Sequence, residues 1–395
     1  MIIQFEVKTE EARTRAYQEA LDKWLVIAYN NYTTYESTEC MELMELCLQL
    51  GANPSVNDNQ LLKNAVIFKQ EEVIRLLMNN WKEGKKAKGK AIIEAVHKGE
   101  IEIVQILIDA GGDVTADSNE AICEASRIGT VEMVELLLKH GANPKARNNE
   151  PICNAAANWR EPKILELLLE NGANPNARSN TPLMEAARVG STSNVKTLLE
   201  HGVKANANNS AAICLAAQKY DPECLRLLLE NGGVANANHD EAMCCAAAYG
   251  SPDNIELLIE HGANVSTADD LPICEAARYG RAENVKMLCK HGANVSARDN
   301  QPICVATKAD ALDTTRVLLE NGADVIARRG IPLTNAIRNG SKQMVMFLLV
   351  NGADKIFIEG NDADLMGDQC IYLAEKYGSE EIVKALKDHG ARKKE

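Results

Sequence analysis

Two kinds of apolar run alternate along most of this chain, and they recur in step. The first is short and built on small residues, as in Pro151-Ile152-Cys153-Asn154-Ala155-Ala156, and similar openings stand at Leu61, Ala91, Ala121, Pro182, Ala212, Ala242, Pro272, Pro302 and Pro332. Neighbouring openings lie 30 residues apart, except for the 31 between Pro151 and Pro182. The second run is leucine-rich, as in Glu166-Leu167-Leu168-Leu169-Glu170-Asn171, and closes at a glycine: Gly51, Gly111, Gly141, Gly172, Gly202, Gly232, Gly262, Gly292, Gly322 or Gly352. Apolar residues at helical spacing make each run one face of a short helix, so each repeat predicts two helices. In Pro272-Ile-Cys-Glu-Ala-Ala-Arg-Tyr-Gly280 the proline suits a first helical position, where its missing N–H would have gone unpaired anyway. Gly280 suits the left-handed residue past a helix end. Ala282 to His291 forms the second helix, and the small Ala276 and Ala277 let neighbouring helices approach closely. From Ala293 to Gln301 the chain crosses to the next unit; Asp299 and Asn300 both tolerate left-handed angles, so an extended segment and a tight turn are expected.

A fixed period of this length implies stacked supersecondary units that share one continuous core and serve as surfaces rather than active sites. The ends differ from the middle. Residues 1–38 hold an apolar start, Met1 to Val7, and a predicted helix from Glu10 to about Tyr29, ahead of a first recognisable second helix at Glu39 to Leu50. They are expected to cap a solenoid that spans 39–395, since an open stack must shield its terminal faces. Gly352 to Gly390 covers 38 residues, which places an eight-residue insertion between Asp354 and Gln369. The final unit, 370–390, is expected to act as the C-terminal cap.

Thr181-Pro182-Leu183-Met184-Glu185-Ala186 resembles the Thr-Pro-Leu-His-x-Ala opening of the ankyrin repeat, and Leu271-Pro272-Ile273-Cys274-Glu275-Ala276 resembles it with Cys in place of His. The Leu-Leu-Leu-x-x-Gly-Ala-Asn/Asp ending of that family stands intact from Leu167 to Asn174 and, with Val first, from Val317 to Asp324. The resemblance covers roughly residues 39 to 390 and implies an all-α ankyrin solenoid of about 11–12 helix-turn-helix units with terminal caps. The family unit is about 33 residues long. The missing residues fall between Asp299 and Pro302, where the family carries the tip of its β-hairpin finger. Stubby fingers are therefore expected, which shifts recognition to the concave groove lined by first helices. Shortened repeats of this kind are similar to those of large DNA viruses, protists and intracellular bacteria.

Composition narrows the function classes. Aromatic residues make up only 4%, so a core must come from Ala, Leu, Ile and Cys packed at close spacing. A net charge of -13 argues against broad binding to nucleic acid or anionic membranes, both of which favour basic surfaces. No segment approaches the roughly 18 apolar residues of a membrane span, and Met1 to Val7 lacks the basic start of a secretory signal. An intracellular, cytoplasmic chain is expected. Six of twelve cysteines, Cys123, Cys153, Cys214, Cys244, Cys274 and Cys304, occupy one repeat position. Equivalent residues of stacked helices lie about 8–10 Å apart, beyond disulfide reach, so these read as small buried side chains.

Several constellations suggest chemistry and fail on detail, so no enzyme activity and no cofactor are expected. Gly84-Lys-Lys-Ala-Lys-Gly89-Lys90 has P-loop spacing, but Ala91 stands where a magnesium-holding Ser or Thr belongs. Its lysines, Lys82, Lys85, Lys86, Lys88 and Lys90, remain a candidate anion spot before a helix N-terminus. Asp362, Asp364 and Gly367 hint at a calcium loop, yet Met366 and Leu373 fall at ligand positions. His140, His201, His261 and His291 each precede a repeat glycine, where a helix carbonyl end favours a partly charged ring, and capping is expected of them. Cys244-Cys245 and the pair Cys40 and Cys47 have no zinc-ligand company.

A column in the first helix remains. Three residues after the opening stand Glu94, Glu124, Glu185 and Glu275; six after it stand His97, Arg127, Arg188, Arg278, Lys308, Arg338 and Lys376. Seven after it stand Ile128, Val189, Tyr249, Tyr279 and Tyr377. A glutamate and an arginine three apart support a helix by a few tenths of a kcal/mol. Arg beside Tyr is also the composition of protein-binding hot spots. The resemblance places these columns in the groove, where a partner helix, loop or extended peptide docks. Arg127, Arg188, Tyr249, Arg278, Tyr279 and Arg338 are the candidate partner-binding residues, with Tyr249, Arg278 and Tyr279 at the centre. The partner is expected to be another protein, held by an adaptor or inhibitor. The alternatives are an acidic surface that mimics nucleic acid and blocks a basic site, or the regulatory arm of an enzyme complex. Phe357 in the insertion and the irregular loops at Asn158 to Pro162, Tyr220-Asp221 and Ala309-Asp310 are further candidate contacts.

Overall fold

Period-30 pairs of apolar runs become pairs of helices. The computed structural model describes residues 10–81, 85–357 and 363–392. Among them are 24 α-helices, one 3-10 helix and no strand, so that first and second helices alternate through twelve pairs. The chain divides into two compact units, Met1–Pro182 and Leu183–Glu395. Within each unit, first helices pack on neighbouring first helices and second helices on second. No helix among the described residues is long and apolar enough to cross a membrane.

Unit 1 opens with Glu10–Tyr35, a helix that runs past Tyr29 and buries Leu21, Leu25, Ala28 and Tyr29 against Thr38–Gln49. The Ser37 hydroxyl caps the latter by accepting the Glu39 N–H at 3.2 Å. Met1 to Val7 lies outside the described residues. The core of unit 1 is Ile, Leu and Ala, with Ile122, Ala125, Val134 and Leu137 wholly buried. In unit 2 the same layers are Ile273, Ala276, Ala277, Val285 and Leu288. Burying one such aliphatic side chain stabilises by about 1.5–3 kcal/mol, and repetition, not any single residue, accumulates the stability.

Many of the residues before the repeat glycines cap the second helix, though not all: His201 and His261 do as expected, whereas the His291 Nε2 is buried without a partner. His201 Nδ1 lies 2.8 Å from the Thr197 carbonyl oxygen, His261 Nδ1 2.9 Å from that of Leu257, and His389 Nδ1 2.9 Å from that of Ala385. Asn171, Asn231, Asn321 and Asn351 do the same through their amides, each donating to the carbonyl four residues back at 2.7–2.9 Å. Asn replaces His because both present a side-chain donor at that reach. The glycine then turns left-handed, with φ 92° at Gly141, and the Ala142 N–H returns to the Leu137 oxygen at 3.0 Å.

Between units of the repeat the structure corrects the expected extended crossing. Three consecutive residues adopt left-handed helical angles: Arg147, Asn148 and Asn149 in unit 1, and Arg298, Asp299 and Asn300 in unit 2, for example. They form a single left-handed turn, closed where the Asn300 N–H donates to the Ser296 oxygen at 3.0 Å. Pro302 then falls in the first right-handed turn, where no N–H is needed. Left-handed angles cost an ordinary residue about 1–2 kcal/mol, and Asn and Asp least. Two sets of bonds across the repeat offset that cost. In several turns the third residue's side chain accepts an N–H of the following repeat: Asn119 from Asn143 at 2.8 Å, Asp240 from Asn264 at 3.0 Å, Asp270 from Asn294 at 3.1 Å; the Asn300 side-chain oxygen is instead buried without a partner. The first residue, where it is Arg, donates backward to the previous turn's carbonyls, as Arg328 does to those of Asp299 and Arg298 at 2.7 and 2.6 Å. This turn stands where a finger was expected to be short.

The insertion in the last repeat begins in the 3-10 helix Ala353–Phe357 and ends in the first turns of the helix Ala363–Tyr377. Ile356 and Phe357 are buried with Leu333, Ile337, Leu348, Cys370 and Ile371, so Phe357 closes the core rather than meeting a partner. At Gly330, φ 80°, a Cβ would sit 2.9 Å from Ile356 Cδ1, so a larger residue at that third left-handed position would have to shift the end of the Ile356 side chain.

Candidate partner-binding surface

First helices present their last turn at the surface, because the apolar positions of Pro272-Ile-Cys-Glu-Ala-Ala face the stack and the following Arg and Tyr leave it. In unit 2, Tyr249 ends Ala237–Tyr249 and Tyr279 follows Thr267–Arg278. Their ring centroids lie 4.8 Å apart at 50°, and the Tyr249 hydroxyl donates to the Tyr279 hydroxyl at 2.7 Å. That bond, ahead of a small desolvation, pushes the Tyr249 phenol above its usual value. Both rings remain 45–46% exposed, so the pair is ordered without being covered. Beside it, Arg281 Nε donates to the Ala248 oxygen at 3.2 Å and fixes the end of the Tyr249 helix.

Arg278 points along its own helix, with Nε 3.3 Å from a Glu275 oxygen. Arg188, also in unit 2, is held by Glu185 at 2.7 Å. Arg338 is exposed, and no ion pair or hydrogen bond of its side chain occurs among the described residues. In unit 1, Arg127 meets Glu124 at 2.6 Å, and His97 approaches the same carboxylate at 3.7 Å. Arg127, then His97, holds the Glu124 carboxyl below the ordinary range. The structure thus brings Tyr249 and Tyr279 together with Arg278 next in the chain. Arg188 and Arg338 each stand two repeats from the nearer tyrosine of that pair.

Trp159 and Tyr220, 61% and 82% exposed, crown two of the irregular loops, and Arg160 lies 5.4 Å from the Trp159 ring. Phe68 is 63% exposed in unit 1 at the position equivalent to Tyr249. Trp159 and Tyr220 lie in irregular loops already legible as candidate contacts, whereas Phe68 carries the same signal, an aromatic residue at the column in a loop without the inter-helix glycine, and was not among the candidates.

The other candidates resolve differently. Lys85–Lys98 is helical, not a phosphate-cradling loop. Lys82 and Gly84, and the side chains of Lys85 and Lys86, lie outside the described residues. Lys88 turns inward and donates to the Ala110 oxygen at 2.8 Å, where Ala110 lacks the capping side chain of its column, and burial lowers its pKa. The lysine cluster is therefore not a free anion spot at Lys88. Asp362 and the side chain of Asp364 lie outside the described residues, and Gly367 sits within Ala363–Tyr377. Among the described residues no three His, Cys, Asp or Glu side chains are placed to hold a metal. Cys123, Cys153, Cys274 and Cys304 are buried, while Cys214 and Cys244 are half-buried; all are free thiols. Burial pushes Cys123, Cys214 and Cys244 up to about 12.

Stacked helix pairs with a capped, left-handed connection and an exposed first-helix column define a repeat scaffold of the protein-binding class. The family model of ankyrin repeats in three copies matches residues 92–179, 122–209 and 183–269, and the single ankyrin repeat matches 269–300. More than half of the chain is matched, and the chain belongs to the ankyrin-repeat family, whose repeats are typically non-enzymatic modules for protein–protein interaction. Among solved structures, the ankyrin repeat domain of human ASB11 is similar at 25% identity over 54% of this chain and 99% of that one, with a TM-score of 0.45. No curated protein matches the chain.

Proposed function

We propose that this chain is a non-enzymatic adaptor or inhibitor that holds a partner protein on the first-helix face, with Tyr249, Arg278 and Tyr279 at the centre of the contact. Arg188 and Arg338 extend it along unit 2, and Arg127 is the corresponding point on unit 1. The Tyr249–Tyr279 pair carries this reading. Two aromatic rings joined by a 2.7 Å hydrogen bond while each stays about half exposed contribute little to the fold, yet they are already ordered for binding. An ordered side chain spares about 0.5–1.5 kcal/mol of entropy on association, and Tyr and Arg are the residues on which interfaces concentrate their energy.

The test is affinity capture with the wild type and with Arg188→Glu/Arg278→Glu/Tyr279→Ala, both shown to be folded by circular dichroism. Loss of a protein retained by the wild type is expected. A partner kept equally by both moves the contact elsewhere, with Trp159 and Tyr220 the next positions to change.

A further inference from the structure

Accepting the first-helix face as the docking face, we propose that the stretch of unit 2 from Tyr279 to Tyr377 binds an acidic, extended segment of the partner protein. The column changes character along this unit. Glu185 and Glu275 neutralise Arg188 and Arg278 from within the same helix. In the next three repeats the carboxylate is gone: Val305 precedes Lys308, Asn335 precedes Arg338 and Leu373 precedes Lys376. Asn335 spends its amide on the Cys304 oxygen at 3.0 Å and offers no charge. Lys308 and Arg338 are exposed, with no ion pair or side-chain hydrogen bond among the described residues. The Lys376 ammonium lies 4.9 Å over the Tyr377 ring. Asp310, the acid nearest Lys308 in sequence, forms no ion pair with it among the described residues, and the acid nearest Arg338 in sequence, Asp324, lies 14 positions away.

Three successive repeats therefore present a cation at the same position of a chain whose net charge is -13. Tyrosines flank the row at Tyr279 and Tyr377. Stacked helices lie about 8–10 Å apart, and an extended chain rises about 3.3 Å per residue. Carboxylates at every third position of an extended segment thus meet Lys308, Arg338 and Lys376 in turn, the guanidinium by a two-pronged bond. A nucleic acid fits less well. Its affinity comes from many phosphate contacts, which an acidic molecule opposes. Tyr249 and Tyr279 tile each other at 4.8 Å rather than opening their faces to bases.

A fluorescein-labelled synthetic peptide of about twelve residues, with Glu at every third position in a Ser/Ala background, serves as the probe. Its fluorescence anisotropy is followed on the full chain at low ionic strength. Binding is expected to weaken about tenfold with Lys308→Glu/Arg338→Glu, partway with Lys308→Gln/Arg338→Gln, and again in about 0.5 M salt. The control Lys286→Glu/Lys384→Glu, on second helices of the same unit, should leave it unchanged. Circular dichroism confirms that each variant is folded. Absence of binding at low salt, indifference to both double substitutions of Lys308 and Arg338, or equal binding of a single-stranded DNA of the same charge overturns the proposal. If a captured partner is lost with Tyr279→Ala but kept by Lys308→Glu/Arg338→Glu, the acidic segment is refuted while the docking face stands.

Discussion

Single residues set the connections of this protein, and the left-handed turn shows how. Asp270 occupies its third position, accepts the Asn294 N–H at 3.1 Å and the Ser266 hydroxyl at 2.7 Å, and is buried. Asp270→Ala leaves that N–H without its partner and should cost about 1–3 kcal/mol in urea unfolding, while Asp270→Asn keeps the acceptor and should cost less. Ala268 sits at φ 49° in the same turn with no polar side chain to justify it. Ala268→Gly removes a strain of about 1–2 kcal/mol against an entropy cost of about 0.5–1 kcal/mol, so a slight gain in stability is expected. Glu124 illustrates the charged case. Arg127 depresses its folded pKa, so it contributes stability above the usual carboxylate range that is lost as pH falls through the lowered value. Solvent screening keeps that contribution small, and Glu124→Gln should flatten the acid limb of a plot of urea midpoint against pH.

At the scale of elements, neighbouring repeats are joined through main-chain groups that a right-handed helix would have used internally. Arg328 reads two carbonyls of the preceding turn, and Asn284 takes three, those of Ala246, Ala247 and Gly250 at 3.0–3.1 Å, from within the core. The Tyr249–Tyr279 bond spans the same step on the surface. Tyr279→Phe keeps the ring but removes the acceptor, so Tyr249 should titrate nearer its ordinary phenol value in an ultraviolet difference titration. The bond to Tyr279 is the largest cause of the present rise. An unchanged titration would mean that the hydroxyls do not meet in solution.

For the molecule as a whole, buried and half-buried thiols recur through both units and should give stability a common alkaline limit. Desolvation raises Cys123, in unit 1, and Cys214, Cys244 and Cys370, in unit 2, from 9.0 to about 12. A raised thiol favours the folded state below the unfolded pKa and loses that advantage as pH rises through the folded one. Stability measured by urea midpoint should therefore fall above about pH 9 and keep falling toward pH 12. Cys370→Ala should make the fall shallower. A midpoint flat over that window would show that these thiols are not desolvated.

Period, helix pairing, glycine stops and the family were all legible in the sequence, because helix propensity and the apolar spacing of Pro272 to Gly280 are local and repeat ten times over. Tyr249 and Tyr279 were legible as well, since a 30-residue repeat aligns them whatever the detail of the turn. Three things were decided only by the fold. The crossing at Asp299-Asn300 became a left-handed turn because its cost is offset by bonds 29 to 30 positions along the chain, from Arg298 back to Asp269 and Ala268 and from Arg328 back to Asp299 and Arg298, which no local pattern contains. Phe357 went into the core because the last stack exposed an apolar face beside it. Lys88 turned inward because Ala110 left a helix end without a cap. Local spacing determined what each repeat is, and contacts between repeats determined where its polar groups are satisfied.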